Sequence, residues 1–253
     1  LKGKHGMIDE WLIASFHQAL HDVNEAMTHY DLRSLATFAY YQIPDMLRWY
    51  DRRGGRNKEL VTTIMQQWVA LLTPITPHLA EEINEKYSLH KGFVSEAAWP
   101  TAQRSIEHAK QLYSEDMVKN VLTSLRDVQK LAKLDHLRQV TLTVAEPWQY
   151  KAFHHIKSML GQTRNVGEII KHCLAQDELR PHSSHVSKLV PSLMKHPQRM
   201  PVEVTSQDHE FDVLQNAKVF IETEFGCTVT IERNQESESP KKGVPGKPGI
   251  LAK

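Results

Sequence analysis

Two prolines three residues apart, in LLTPITPHLAEEI (Leu71–Ile83), limit how the N-terminal part of this chain can fold. Proline inside a helix costs about 3 kcal/mol, and the residue before a proline is pushed out of the helical region. The spacing predicts that a helix with Leu60, Ile64, Trp68 and Leu71 inward stops at Thr73. Thr76 then suits an N-cap and Pro77 the first helical position, where no N–H is needed. A short helix follows through Glu81, Glu82 and Ile83 to about Tyr87. The two prolines read as a sharp helix–helix corner.

The segments before the corner are helical by the same criterion. Apolar residues recur at helical spacing as Ile8, Leu12, Phe16, Ala19, Val23, Met27 and Tyr30. Asp31 can cap a second helix whose stripe is Leu32, Leu35, Ala36, Ala39, Ile43, Leu47 and Tyr50, with a kink expected at Pro44. Two glycines in RRGGR (Arg52–Arg56) break the pattern before the third helix. Four helices on short connections make a bundle.

After Pro100 the pattern changes. Residues 104–134 read as one long, charged amphipathic helix, and VTLTV (Val140–Val144) alternates strictly, as a half-buried strand does. Helices are expected near 147–160, 164–175, 184–195 and 208–225, with a second strand at CTVTI (Cys227–Ile231) and a short third at Val202–Val204. This is a small α+β arrangement. From Asn234 to Lys247 the composition is Glu, Ser, Lys, Pro and Gly, expected to be disordered.

A chain of 253 residues with 40% hydrophobic content supports one large or two modest domains, and a formal net charge of +1 does not announce a nucleic-acid binder. Two cysteines, Cys173 and Cys227, are too few for a disulfide framework, so a reducing, cytoplasmic setting is expected. Cys227 lies in the apolar register of its strand and is expected in the core. No apolar run reaches the ~18 residues of a membrane span. The N-terminus, LKGKHGMIDEW, reads like the cut end of a larger chain.

Little of the chemistry-bearing repertoire is organised. His17 and His21 share a helix face, and His182–His185 and His154–His155 are further pairs, but nothing completes a metal set at a recognisable spacing. No metal site is expected. GVPGKP (Gly243–Pro248) lacks the spacing and flanking elements of a phosphate loop, and reads as flexible tail. No G-x-S-x-G, H-E-x-x-H or G-x-G-x-x-G occurs. One cluster stands out, LRWYDRRGGRNK (Leu47–Lys58). Arg48 and Arg52 share a face opposite the apolar stripe, and Arg53, Arg56 and Lys58 extend it onto the turn. Arginine forks suit phosphate oxygens, so the cluster fits an RNA backbone. From the residues alone, a solvated helix end that complements the helix dipole is the simpler reading. Trp49 is either a stacking platform or packing.

The segments IDEWLIASFHQALHDVNEAM, AYYQIPDMLRWYDRR, WVALLTPITPHLAEEI and GFVSEAAWP, in that order, resemble the helical-bundle, anticodon-binding-type domain of class I aminoacyl-tRNA synthetases of the Leu/Ile/Val/Met group. The L-x-P-x-T-P-H-x-x-E-E stretch and the following Trp99–Pro100 pair are specific to that domain, and support the corner reading. Residues 104–253 are similar to the C-terminal domain of the archaeal and eukaryotic leucine type, on RWYDRR with GR following, the helix–strand–helices–strand order and a basic linker ending in K-P-x-I. Pro44 and the ending GILAK depart from the family pattern.

The resemblance implies a mainly α chain: a helical bundle, 1–103, that binds tRNA; a small α+β C-terminal domain, 104–233; and a flexible linker and tail, 234–253. The catalytic core, which uses ATP and Mg, and the editing domain would lie upstream. The HIGH and KMSKS signatures are absent, and HIKSM (His155–Met159) has no dinucleotide-fold context. No catalytic residue and no cofactor are therefore expected on these residues. The implied partner is tRNA-Leu, gripped by its body and long variable arm, with no membrane partner and a monomeric parent enzyme. By position, Pro248, Gly249, Ile250 and Leu251 would read the tip of the arm, with Lys241, Lys242 and Lys247 on phosphates. The competing readings are the equivalent region of a Val, Ile or Met enzyme, a protein-interaction module that docks a partner along the long helix, and a histidine-based metalloenzyme.

Overall fold

The computed structural model describes residues 5–103, 105–133, 135–234 and 242–252; Lys241 lies outside them. The chain divides into two compact units, Leu1–Leu112 and Tyr113–Lys253. The division falls a few residues beyond the expected boundary at 103/104, because the start of the long helix packs with the first unit. There Leu112 lies against the bundle core and Gln111 donates to Glu10 Oε2 at 2.7 Å.

In the first unit α1 (Met7–Thr28) buries Trp11, Leu12, Phe16, Ala19, Leu20 and Val23. Tyr30, expected on that stripe, is 89% exposed: the helix has already ended, and Tyr30 turns the chain with φ +54°. Leu32 is also exposed, at the first position of α2 (Leu32–Thr37), whose N-cap Asp31 accepts from Ser34 N–H at 3.0 Å.

The kink expected at Pro44 is a π-helical turn, Phe38–Gln42, leading into α3 (Ile43–Arg52). The hydrogen bonding explains it. Pro44 has no N–H to give, and its ring crowds the preceding turn. Ile43 N–H accordingly reaches back five residues to the Phe38 carbonyl. The Ala39 carbonyl is thereby left without a backbone donor from residue 43 or 44. The indole N–H of Trp68, on α4 (Lys58–Leu72), supplies one at 2.7 Å.

The proline corner has the expected form. α4 ends at Thr73 and α5 (Pro77–Tyr87) opens on Pro77. Thr76 sits at the N-cap but makes no side-chain capping bond; its hydroxyl meets that of Tyr40 instead. Glu81 on α5 accepts from the N–H groups of Val94 and Ser95 at 3.0 and 3.1 Å. Trp99 donates to Asn24 of α1 at 2.7 Å, closing the segment over the bundle.

In the second unit, α6 (Ile106–Leu131), which begins in the first, leads to β1 (Gln139–Val144). Then come α7 (Pro147–Leu160), α8 (Val166–Leu174), α9 (Ser183–Lys195), α10 (Gln207–Phe225), β2 (Thr228–Arg233) and β3 (Gly249–Ala252). The strand order is β2-β1-β3, with β1 parallel to β2 (Val140 opposite Val229) and antiparallel to β3 (Leu142 opposite Ile250). A central position makes β1 more buried than its alternation predicts; even Thr143 is fully covered. Cys227 precedes β2 and is half-buried rather than in the core, and Phe153, Ile156, Ile169, Val186 and Val190 pack α7, α8 and α9 together.

Two expectations are corrected here. Val202–Val204 is irregular chain, with Val202 88% exposed. The third strand is Gly249–Ala252, beyond the Asn234–Lys247 stretch that composition marks as disordered and inside the 234–253 linker and tail that the resemblance implies. A central strand needs a partner along each edge, and β3 supplies the second one. Among the described residues no helix is long and apolar enough to cross a membrane.

Trp68→Phe should lower stability by about 1–3 kcal/mol in urea denaturation, since a buried carbonyl loses its donor. In a Pro44→Ala background, where residue 44 again carries an N–H, the same change should cost less.

Candidate nucleic-acid interface

The basic cluster sits on the last turns of α3 and the turn that follows. A hydroxyl holds that turn in place. Tyr50 is buried, and its ring fills the space beside Gly55, where a Cβ would come within 2.2 Å of it. Gly54 takes φ +84°, which glycine adopts freely. The Tyr50 hydroxyl donates to Asp9 of α1 and accepts the Asn57 N–H at 3.0 Å, while Asn57 caps α4 through Leu60 N–H at 3.1 Å. Three helices meet at one phenol. Burial, and then the bond to Asp9, raise its pKa to about 12.

On this support Arg48 is exposed and paired with Asp45 on its own helix. The Arg52 guanidinium lies over the Trp49 ring, 5.5 Å from its centroid. Trp49 is half-buried and packs on the bundle core, with Arg52 over its ring. Arg53 is half-buried. Arg56 reaches Asp51 at 2.6 Å and the Gly55 carbonyl at 2.8 Å. Lys58 is exposed on the first turn of α4. With Asp45, Asp51 and Glu59 in the same stretch, these five cations leave a net charge of +2. The Arg48–Asp45 and Arg56–Asp51 pairs are exposed and worth at most about 1 kcal/mol each, so an arriving phosphate can replace the carboxylates.

The tail residues lie in the second unit. GVPGKP is a tight turn: Val244 and Lys247 exchange both backbone bonds, at 2.9 and 2.8 Å. Proline and then glycine occupy its central positions, with Gly246 at φ +78°, as a type II turn requires. Gly246 N–H donates at 2.8 Å to Oε1 of Glu210, which is 0% exposed. Tyr113 donates to the same oxygen at 2.9 Å and Tyr150 to the other at 2.7 Å. Burial pushes the Glu210 carboxyl above its usual range, against the opposing pull of these donors. Lys242 and Lys247 are exposed, Pro248 is half-buried, Gly249 is buried, and Ile250 and Leu251 are half-buried in β3.

Residue chemistry did not single out Glu210. The signal was present: Glu210 stands in the apolar register of Leu214, Ala217 and Ile221, where a charge needs donors.

The histidine pairs face other partners. The His17 ring stacks on His108, 5.3 Å between centroids, and accepts the Gln103 N–H at 3.2 Å. Burial and then His108 lower its pKa. His182 stacks on Trp148 at 4.5 Å, and His155 lies 5.5 Å from His172. Among the described residues no group of three or more His, Cys, Asp or Glu could hold a metal ion.

The proline corner, the Glu81-held connection and the Trp99 latch define a helical bundle, and sequence comparison assigns it to a family. Residues 9–144 match the family described as the anticodon-binding domain of tRNA ligase; the chain belongs to that family. Among individual proteins, it is 30% identical over 244 residues to the leucine–tRNA ligase of Methanococcus maripaludis, covering 96% of this chain and 24% of that protein. It is 31% identical over 244 residues to the leucine–tRNA ligase of Methanococcus vannielii, with the same coverage. The Pyrococcus furiosus leucine–tRNA ligase is 30% identical over 250 residues, 96% of this chain and 25% of that protein. The chain thus spans about a quarter of the length of these relatives.

Tyr50→Phe should cost about 1–3 kcal/mol at neutral pH, from the bonds lost at Asp9 and Asn57. A phenol whose folded pKa is raised contributes stability that is complete below the unfolded value near 10 and is lost as pH rises through about 12. The stability gap between wild type and variant, followed by urea denaturation, should therefore narrow from pH 10 upward.

Proposed function

We propose that this chain is the tRNA-binding portion of a cytoplasmic leucine–tRNA ligase, monomeric in its parent form. It holds tRNA-Leu by the body and the long variable arm while a catalytic domain outside these residues attaches leucine with ATP. The observation that carries this reading is the likeness to leucine–tRNA ligases, which extends over 96% of the chain and so includes the second unit as well as the bundle.

The physical division of labour follows from the residues. Arg48, Arg52, Arg53, Arg56 and Lys58 take phosphate oxygens and so position the RNA without reading sequence. Each such contact releases counterions and adds a salt-dependent increment of affinity. Lys247 and Pro248, at the entry to β3, with Gly249, Ile250 and Leu251 along it, meet the tip of the variable arm, where bases are unpaired and open to recognition. Their reading surface is the outer edge of β3, which carries backbone donors and acceptors with a fixed spacing. Two modest sites on one polypeptide reinforce each other through effective concentration.

Filter binding of the chain to a tRNA-Leu transcript tests the reading. Arg52→Glu should weaken binding and make the dependence of log K on log salt shallower by about one or more contacts' worth of slope, ~0.7–0.9 each. An unchanged slope would assign the cluster to solvent. Deleting the long variable arm from the transcript should also weaken binding. Equal affinity for the two transcripts would remove the leucine assignment.

A further inference from the structure

The exposed face of the helix that carries the basic cluster continues well beyond it. Arg33, Thr37, Tyr41, Asp45, Arg48 and Arg52 are all exposed and follow one another at intervals of four, four, four, three and four residues. That spacing is one face of a helix, here running through α2, the π turn and α3. At 1.5 Å per residue the stripe is roughly 28 Å long. Tyr41 sits at its middle, on the π turn, and is 67% exposed. Its neighbour Tyr40 is half-buried and spent on Thr76, and Ala39 and Ile43 are in the core. The turn therefore directs one large aromatic ring outward, between an arginine at one end of the stripe and two at the other.

We propose that Tyr41 is a stacking platform for an unpaired RNA base, with phosphates on either side held by Arg33 and by Arg48 with Arg52. The inference rests on the tRNA-binding reading above and adds to it the kind of nucleotide that this face takes. Charge complementarity selects the occupant. Three guanidinium groups suit a phosphate chain, and one exposed phenol ring between them suits the π-face that every base carries. Asp45, one helical turn from Tyr41 and paired with Arg48, gives that arginine up to an arriving phosphate and then accepts from a base amino group, so the middle of the stripe takes a base and its ends take backbone. A paired duplex cannot present a base face to a side ring, so the nucleotide must come from a loop, a bulge or an end.

The test is equilibrium binding of the chain to a tRNA-Leu transcript and to a fully paired RNA duplex of similar length. Tyr41→Ala should weaken transcript binding about tenfold, the size of one lost base stack, with an unchanged salt slope and unchanged binding to the duplex. Tyr41→Phe and Tyr41→Trp should stay within about twofold of wild type, since the ring and not the hydroxyl is used. Arg33→Gln should instead make the salt slope shallower on both RNAs. Circular dichroism should be the same for all four variants, because the positions are exposed. The proposal is overturned if Tyr41→Ala binds the transcript as wild type does, or loses equally on the duplex. Should Arg52→Glu weaken binding while Tyr41→Ala does not, the stacking platform alone falls. Should the wild-type chain bind neither RNA, the tRNA-binding reading and this one fall together.

Discussion

A missing hydrogen on Pro44 organises much of the first unit. Without that donor the helix cannot continue its bonding pattern, and it inserts a π turn at Phe38–Gln42. The turn resets the phase between α2 and α3, so Leu35, Ala39, Ile43, Met46 and Tyr50 all reach the core. It also orphans the Ala39 carbonyl, which Trp68 then satisfies from α4. The same local irregularity thus sets a packing register, ties two helices together and turns Tyr41 to solvent. Correct phasing of α3 brings Tyr50 to Asp9 and Asn57, and those bonds set where the arginine-rich turn stands.

The two candidate RNA-contacting groups are built on contrasting chemistry. The basic cluster is a mostly exposed set of four arginines and a lysine, with Arg48 and Arg56 matched with neighbouring carboxylates. Such pairs keep the side chains from collapsing elsewhere and cost little to exchange. The tail residues instead depend on a fully buried carboxylate that collects donors from α6, α7 and the Gly243–Lys247 turn. A charge there is tolerated only because each oxygen is met.

Much of the fold was legible from periodicity and proline placement. α1, α4, α5, α7 and α10 fall within a few residues of their expected bounds, because long amphipathic segments carry a strong signal. The failures share a cause. Tyr30 and Leu32 are apolar residues at helix ends, where the turn and not the pattern decides what is covered. Val202–Val204 has strand-like composition but no edge to join, while GILA has weak composition and an edge waiting for it. Strand identity here is decided by a distant partner, which no local window contains. In the candidate site the arginines were visible as a cluster. Tyr41 was not, because a lone aromatic off the apolar stripe carries no signal until its exposure on the π turn is known. Glu210 was visible only as a charge in an apolar register.

The sheet of the second unit joins segments far apart in the chain, with β1 facing β2 through Val140 and Val229 and facing β3 through Val140 and Ala252. Closing such long loops is entropically expensive until the intervening chain is compact. The helices α7 to α10, whose contacts are mostly with sequence neighbours, are the natural first structures to form. β3 is held by one edge and one buried clasp, whereas β1 is paired along both edges. The strand that carries the candidate tail residues thus depends on contacts with chain more than a hundred residues earlier in the sequence.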